Sequence, residues 1–205
     1  MVRGLFPPRE RGPVLDILEH SVVFLAPTNI EQVLRNCSWP STAWELANLY
    51  LASIGAELLE RDAPQIVGLS VETTCYVSLT YFTEQDPFAD FVVHEAAHVF
   101  HNCKRAMVGF AETRRREWLL DIDFCKRETF AYSCEAYARI VERASGPRER
   151  IKLSDEYRQD RNHLPDERAD AEEVADIVAE ACATRSGWKV ILARSAPKPS
   201  TRNRQ

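Results

Sequence analysis

The chain has 205 residues, 45% of them apolar and 28% charged, with 7 glycines and 11 prolines. That is long enough to bury a hydrophobic core, and the proportions exclude fibrous, low-complexity and wholly disordered classes. The 31 acidic and 26 basic residues leave a formal charge of −5, so no field of one sign covers the molecule and a general nucleic-acid binder is not expected.

No apolar run approaches the ~20 residues that a membrane-crossing helix needs. The opening stretch MVRGLFPPRERGP has no apolar region of the kind a secretory signal carries, so export is not expected. Cys37, Cys75, Cys103, Cys125, Cys134 and Cys182 lie singly within apolar runs, without Cys-x-x-Cys spacing. They read as free thiols of a cytoplasmic protein, each behaving as a small hydrophobe.

In chain order, Val14 to Leu25 is apolar enough for a core helix or strand, and Thr28-Asn-Ile-Glu31 has the form of a capping box opening a short helix. Trp39-Pro40-Ser41 introduces Thr42 to Leu59, where Trp44, Ala47, Leu51, Ile54 and Leu58 recur at helical spacing. Arg61-Asp62-Ala63-Pro64 ends that pattern. From Ile66 to Phe82 the period becomes two: Val71, Thr73, Cys75, Val77, Leu79 and Tyr81 alternate with Glu72, Thr74, Tyr76, Ser78 and Thr80, which predicts one long strand. Asp86-Pro87 is the expected start of a helix over Phe88 to Asn102. A further helix is expected over Asp123 to Ala144, stopped by Gly146-Pro147. Residues 148 to 173 carry mixed charge and read as a solvated connection or exposed helix. Glu172 to Ala183 is weakly amphipathic, and Trp188 to Leu192 is a short apolar run that could return to the sheet.

The segment with chemical content is Val93-His94-Glu95-Ala96-Ala97-His98. Histidines four apart on a helix project from one side, so both imidazoles reach a single divalent ion, while the enclosed Glu95 is near enough to take a proton from water on that ion. With 5 histidines and 20 glutamates in 205 residues, chance placement would produce the pattern about 0.01 times. Phe88, Val92, Ala96, Val99 and Cys103 form an apolar stripe, widened by Val93, Ala97 and Phe100. The remaining arc holds Asp90, His94, His98, His101 and Arg105, as a helix would if it turned its histidines toward a cleft. His101 is seven residues from His94, about 10 Å along the axis, and reads as a cleft-lining or structural residue.

A catalytic zinc ordinarily takes three protein ligands and a water. His20 and His163 lie in segments without a motif and read as ordinary core or surface histidines. Between Lys126 and Tyr137, however, Glu128 and Glu135 share one side of a helix in apolar and aromatic surroundings, where a buried carboxylate needs a partner.

These residues resemble the zincin metallopeptidases, and among them the gluzincins, in which a helix with His-Glu-x-x-His is followed by a second helix supplying a glutamate ligand. Glu128-Thr-Phe-Ala131 is similar to the Glu-x-Phe-Ala run of several branches, lethal-factor-like peptidases included. Glu135-Ala-Tyr-Ala138 offers a competing match. The likeness covers residues 66 to 144 and implies Zn2+ held by His94, His98 and Glu128, with Glu95 as general base. Glu135 is then a neighbour that orients a ligand, or the alternative third ligand. Tyr132 and Tyr137 could donate to an oxyanion. The strand before the helix, at Cys75, Tyr76, Val77, Ser78 and Leu79, resembles the family's substrate-binding edge strand. The metzincin glycine-and-histidine extension and the downstream Asp of thermolysin are absent, which leaves the subfamily open.

The expected architecture is a mixed α+β zincin-like domain, mainly helical, with a small mixed sheet whose edge strand precedes the active-site helix. It would span residues 1–190, with a helical part at 1–62, a catalytic core at 63–146, a charged part at 147–190, and a disordered tail at 191–205. The expected activity is zinc-dependent peptide hydrolysis on a peptide or protein substrate, without a membrane partner. The alternative is a zincin-like protein that binds zinc and regulates or binds a partner without cleaving. Arg194, Lys198, Arg202 and Arg204 could tether the tail to nucleic acid, but four charges on a mobile end are ordinarily just solvated.

Overall fold

The computed structural model describes all residues except 62, 64, 65, 72, 112–115, 161–167 and 199–205. Expectations on Asp62, Pro64, Glu72, His163, Arg202 and Arg204 therefore lie outside the described residues. The fold is mixed α+β and mainly helical. In chain order it comprises α1 (Val2–Leu5), α2 (Pro8–Ser21), β1 (Val22–Phe24), α3 (Ile30–Arg35), α4 (Pro40–Ser53), β2 (Gly68–Val71), β3 (Thr74–Val77), α5 (Phe91–Asn102), α6 (Arg127–Arg143), α7 (Pro147–Gln159), α8 (Ala171–Ala183) and α9 (Gly187–Ser195). No helix among the described residues is long and apolar enough to cross a membrane.

The predicted long strand is two strands. β2 and β3 pair antiparallel with Val71 opposite Thr74 and Gly68 opposite Val77, so the chain reverses between them. β1 joins β3 in parallel, Val22 opposite Cys75, which gives the order β1-β3-β2. Two corrections follow. β3 is the central strand, so Cys75, Tyr76 and Val77 cannot form a substrate-binding edge. Ser78 and Leu79 are not in a strand at all: the Ser78 hydroxyl accepts from the Thr80 N–H and caps a 3-10 turn over Leu79–Thr83. Among the described residues β1 and β2 are the edge strands, and β2 is the one with extensive contact to α5.

Residues directly opposite share a face. Gly68, Ser70, Cys75 and Val77 thus lie on one face and Leu69, Val71, Thr74 and Tyr76 on the other. The first face packs against α5, and Cys75 and Val77 are buried there. The second covers a smaller cluster in which Leu69 and Tyr76 meet Leu25, Leu46 and Leu49. Beyond α5 the larger core continues through α6 to α8, flanked by α7 and α9, with Phe100, Phe130, Ile140, Ile177 and Ile191 fully buried.

Several helix boundaries differ from expectation. α4 ends at Ser53, and Gly55 beyond it has φ +68, a left-handed conformation that glycine adopts without steric cost. Its buried positions are Leu46, Asn48 and Leu49 rather than the stripe through Trp44 and Ile54, and Ile54 is exposed. α5 starts at Phe91, not Phe88, because Asp90 supplies the cap: its Oδ1 accepts from the Val93 N–H at 3.1 Å. Asp86 instead closes a turn by accepting from the Phe88 N–H. Thr28 to Glu31 forms no capping box; α3 starts after Asn29, whose side chain accepts from the Ala26 N–H.

Gly146-Pro147 opens α7 rather than only closing α6, and α7 buries Leu153, Ser154 and Tyr157 within the supposed connection. Trp188 to Leu192 does not return to the sheet. It belongs to α9, which also takes residues 191–195 from the expected disordered tail; Ile191 and Ser195 are buried, and the Ser195 carbonyl accepts from the Asp123 N–H. All six cysteines are free, and four are buried. Of the basic residues proposed as a tether, Arg194 pairs with Glu180 at 2.6 Å.

Candidate metal centre

α5 and α6 pack against each other and bring together residues that lie 30 or more positions apart. His94 and His98 are one turn apart on α5, with His98, Glu95 and Glu128 all below a tenth exposed. The two Nε2 atoms lie 3.2 Å apart. From the first turn of α6, Glu128 places Oε2 at 3.3 Å from His98 Nε2 and 3.8 Å from His94 Nε2. Ligand atoms held at 2.0–2.2 Å around a tetrahedral zinc are separated by about 3.3–3.6 Å; the spacings of 3.2 and 3.3 Å are near such an edge, and the His94–Glu128 spacing of 3.8 Å is slightly longer. Among the described residues this is the one group of three or more His, Cys, Asp or Glu able to hold a metal ion. Its donor set of two imidazoles and one carboxylate suits zinc.

Each of the three side chains has a further partner. His94 Nδ1 is 3.0 Å from Glu135 Oε2, and the other Glu135 oxygen accepts from the Asp90 N–H at 2.6 Å. Glu135 thus grips the α5 cap and the outer nitrogen of His94 together, and it is not within the group of converging atoms. His98 Nδ1 is 2.9 Å from His101 Nε2. Glu128 Oε1, turned away from the histidines, faces Arg127 Nε at 3.6 Å and Arg168 Nη1 at 3.5 Å.

The electrostatics follow from this packing. Burial disfavours charge on His94, but the Glu128 and Glu135 carboxylates outweigh it and push the pKa up to about 10. Burial likewise opposes charge on Glu128, yet hydrogen bonding to His94 and His98 holds its carboxyl well below the usual range. Burial, aided by the neighbouring His98, pulls His101 down to about 4. The carboxylates around His94 thus favour its protonated form, and a cation bound at Nε2 would compete with that proton. Glu135→Gln removes the anion behind His94 and is expected to weaken divalent-metal binding by about 10–100-fold, read by competition with a chelator.

Glu95 points to the sheet side of the same opening. Its Oε2 accepts from the Ser70 hydroxyl at 2.5 Å, and that hydroxyl is also 3.1 Å from the Glu95 carbonyl. Gly68, on the same face of β2, leaves the space that the carboxylate needs: a Cβ there would lie 2.5 Å from Glu95 Oε1. The centre opens into a cleft of about 1340 Å³. Ile66 to Ser70, leading into and along β2, line it, as do Trp118, Leu120, Ile122 and Phe124 from the segment between α5 and α6.

The two tyrosines separate. Tyr132 lines the cleft with its ring edge-on to His94, the centroids 4.5 Å apart. Tyr137 lies outside the cleft, buried against Trp188 at 4.8 Å with its hydroxyl close to Gly187, so its proposed oxyanion role is withdrawn. His20 is exposed at the end of α2, where its Nδ1 bonds the Asp16 carbonyl at 2.8 Å.

Sequence reasoning missed Gly68, Ser70, Arg168 and the cleft-lining residues between α5 and α6. Only these last left a signal, since Trp118, Leu120, Ile122 and Phe124 alternate over seven residues. Compared with protein-family models, with curated proteins and with solved structures, the chain finds no match.

Proposed function

We propose that this protein is a zinc metallopeptidase of the zincin type, with His94, His98 and Glu128 holding the ion and Glu95 acting as general base. One observation carries the reading. Two imidazole nitrogens and a carboxylate oxygen converge at close to tetrahedral spacing beside a second, separately held carboxylate, in the lining of an open cleft.

Zinc bound there would lower the pKa of a water and polarise a carbonyl. The chain's own residues supply the rest. Glu95 takes the proton of the attacking water and delivers it to the departing amine. Ser70 fixes that carboxylate by donating to Oε2, and Gly68 leaves Oε1 room beside the sheet edge. Tyr132, the one of the two tyrosines that lines the cleft, takes the oxyanion-donor role. An extended peptide adds to the outer edge of β2, over Gly68 to Val71, through backbone hydrogen bonds. This places substrate one strand away from the Cys75–Leu79 segment that the sequence suggests. A closed, purely structural site would need a fourth protein ligand, and the described residues bring three.

Gly68→Ala pushes a methyl group into Glu95 while leaving the three ligands untouched. It is expected to lower kcat by about 10²-fold with zinc affinity unchanged. For the function itself, zinc-loaded protein is incubated with a peptide library and the products are read by mass spectrometry. Cleavage that a chelator removes and added zinc restores is the expected result. One zinc per chain with no product from the library would hand the protein to the non-cleaving alternative.

A further inference from the structure

We propose that His101 is a positioning residue for the metal centre: it accepts a hydrogen bond from His98 and so fixes which nitrogen of His98 faces the ion. The inference rests on the zinc reading above and adds to it a third histidine. His98 Nε2 is the atom turned into the cluster, 3.2 Å from His94 Nε2 and 3.3 Å from Glu128 Oε2. A neutral imidazole that offers the Nε2 lone pair to a metal carries its proton on Nδ1, and that N–H needs an acceptor. His101 Nε2 lies 2.9 Å from it.

The geometry suits acceptance. The two rings are nearly perpendicular, at 87°, with centroids 5.1 Å apart. An imidazole accepts only at its unprotonated nitrogen, so this bond sets the His101 proton on Nδ1.

The two metal-facing histidines are therefore held in different ways. His94 is oriented by an anion, Glu135, which arrives from α6 only once the helices have packed. His98 is oriented by a neutral ring on its own helix, three residues onward, where side chains are neighbours as soon as the helix forms. With His101 in that place, one carboxylate rather than two stands behind the ligands, and less of the ion's charge is neutralised from the rear. The sequence carries this device as His-Glu-x-x-His-x-x-His over residues 94 to 101.

The test is zinc affinity of the full chain, measured by competition with a chelator, in wild type, His101→Leu and His101→Gln. Leucine removes the acceptor and is expected to weaken zinc binding by about 10–100-fold. Glutamine can return an oxygen near the place of Nε2 and is expected to recover most of that loss. Melting of the metal-free proteins, which a purely structural role would disturb, should not follow the same order. Cobalt substitution gives a second readout: the visible bands of the Leu variant should shift and those of the Gln variant should resemble wild type. Wild-type zinc affinity in His101→Leu, or equal weakening in both variants, would overturn the inference while leaving the metallopeptidase reading intact. A wild-type chain that takes up no zinc would overturn both.

Discussion

Glu95→Gln should lower peptide hydrolysis by about 10²–10⁴-fold while zinc stays at one per chain. The substitution keeps size and shape in a position that is only 6% exposed. It also keeps an oxygen able to accept from the Ser70 hydroxyl, so the wall between α5 and β2 need not move. What disappears is the capacity to take a proton. Glu95 contributes no atom to the group formed by His94, His98 and Glu128, so affinity for the ion should be preserved. The paired readout separates this from a folding defect: zinc content by elemental analysis and turnover of a cleaved peptide, on one sample. Turnover near that of wild type would remove Glu95 from the role of base, and loss of zinc would mean that it helps to hold the ion.

Much of this centre is local, and what is local was legible. The positions of His94, Glu95 and His98 on one helical face follow from a spacing of four, and a buried glutamate seven residues from another implies partners on one side of α6. The placement of Gly68 and Ser70 depends instead on where the chain reverses. Val71 and Thr74 face each other across the turn, and apolar and polar residues alternate on both sides of it. The period of two therefore runs through the reversal without a break, and a hairpin reads as one strand. This same feature moved the proposed substrate edge from β3 to β2. His101 was discounted because its distance from His94 was weighed, whereas its contact is with His98, three positions away. The last helix was missed for a different reason. Trp188 to Leu192 is too short to show a period, and its helical character depends on Ile191 and Ser195 packing into the core that α6 and α8 build.

Arg105→Met is expected to destabilise the fold by about 3–5 kcal/mol, which at this chain length lowers Tm by roughly 6–20 °C. Glu10 on α2 and Arg105, just beyond the end of α5, are 3% and 6% exposed. Arg105 Nη2 donates to Glu10 Oε1 at 2.9 Å and Nη1 to Oε2 at 3.4 Å, a two-pronged pair, while the guanidinium also lies over the Phe110 ring at 5.0 Å. Removing the cation strands a carboxylate in the interior. Converting both partners, Glu10→Leu with Arg105→Met, should be close to neutral, because the expense of desolvating two ions disappears with them. The pair also has a pH signature. Hydrogen bonding to Arg105 holds the Glu10 carboxyl below its ordinary value. A depressed native pKa contributes stability that is present above the unfolded value, about 4.3, and is lost as pH falls through the native one. In Arg105→Met the stranded carboxylate is instead relieved by protonation. The stability gap between wild type and variant should thus be widest near neutrality and close as pH drops below about 4. Urea unfolding at pH 7 and pH 3.5 measures it, and a gap of equal size at both would show that the pair's charge is not what joins α2 to the end of the histidine-bearing helix.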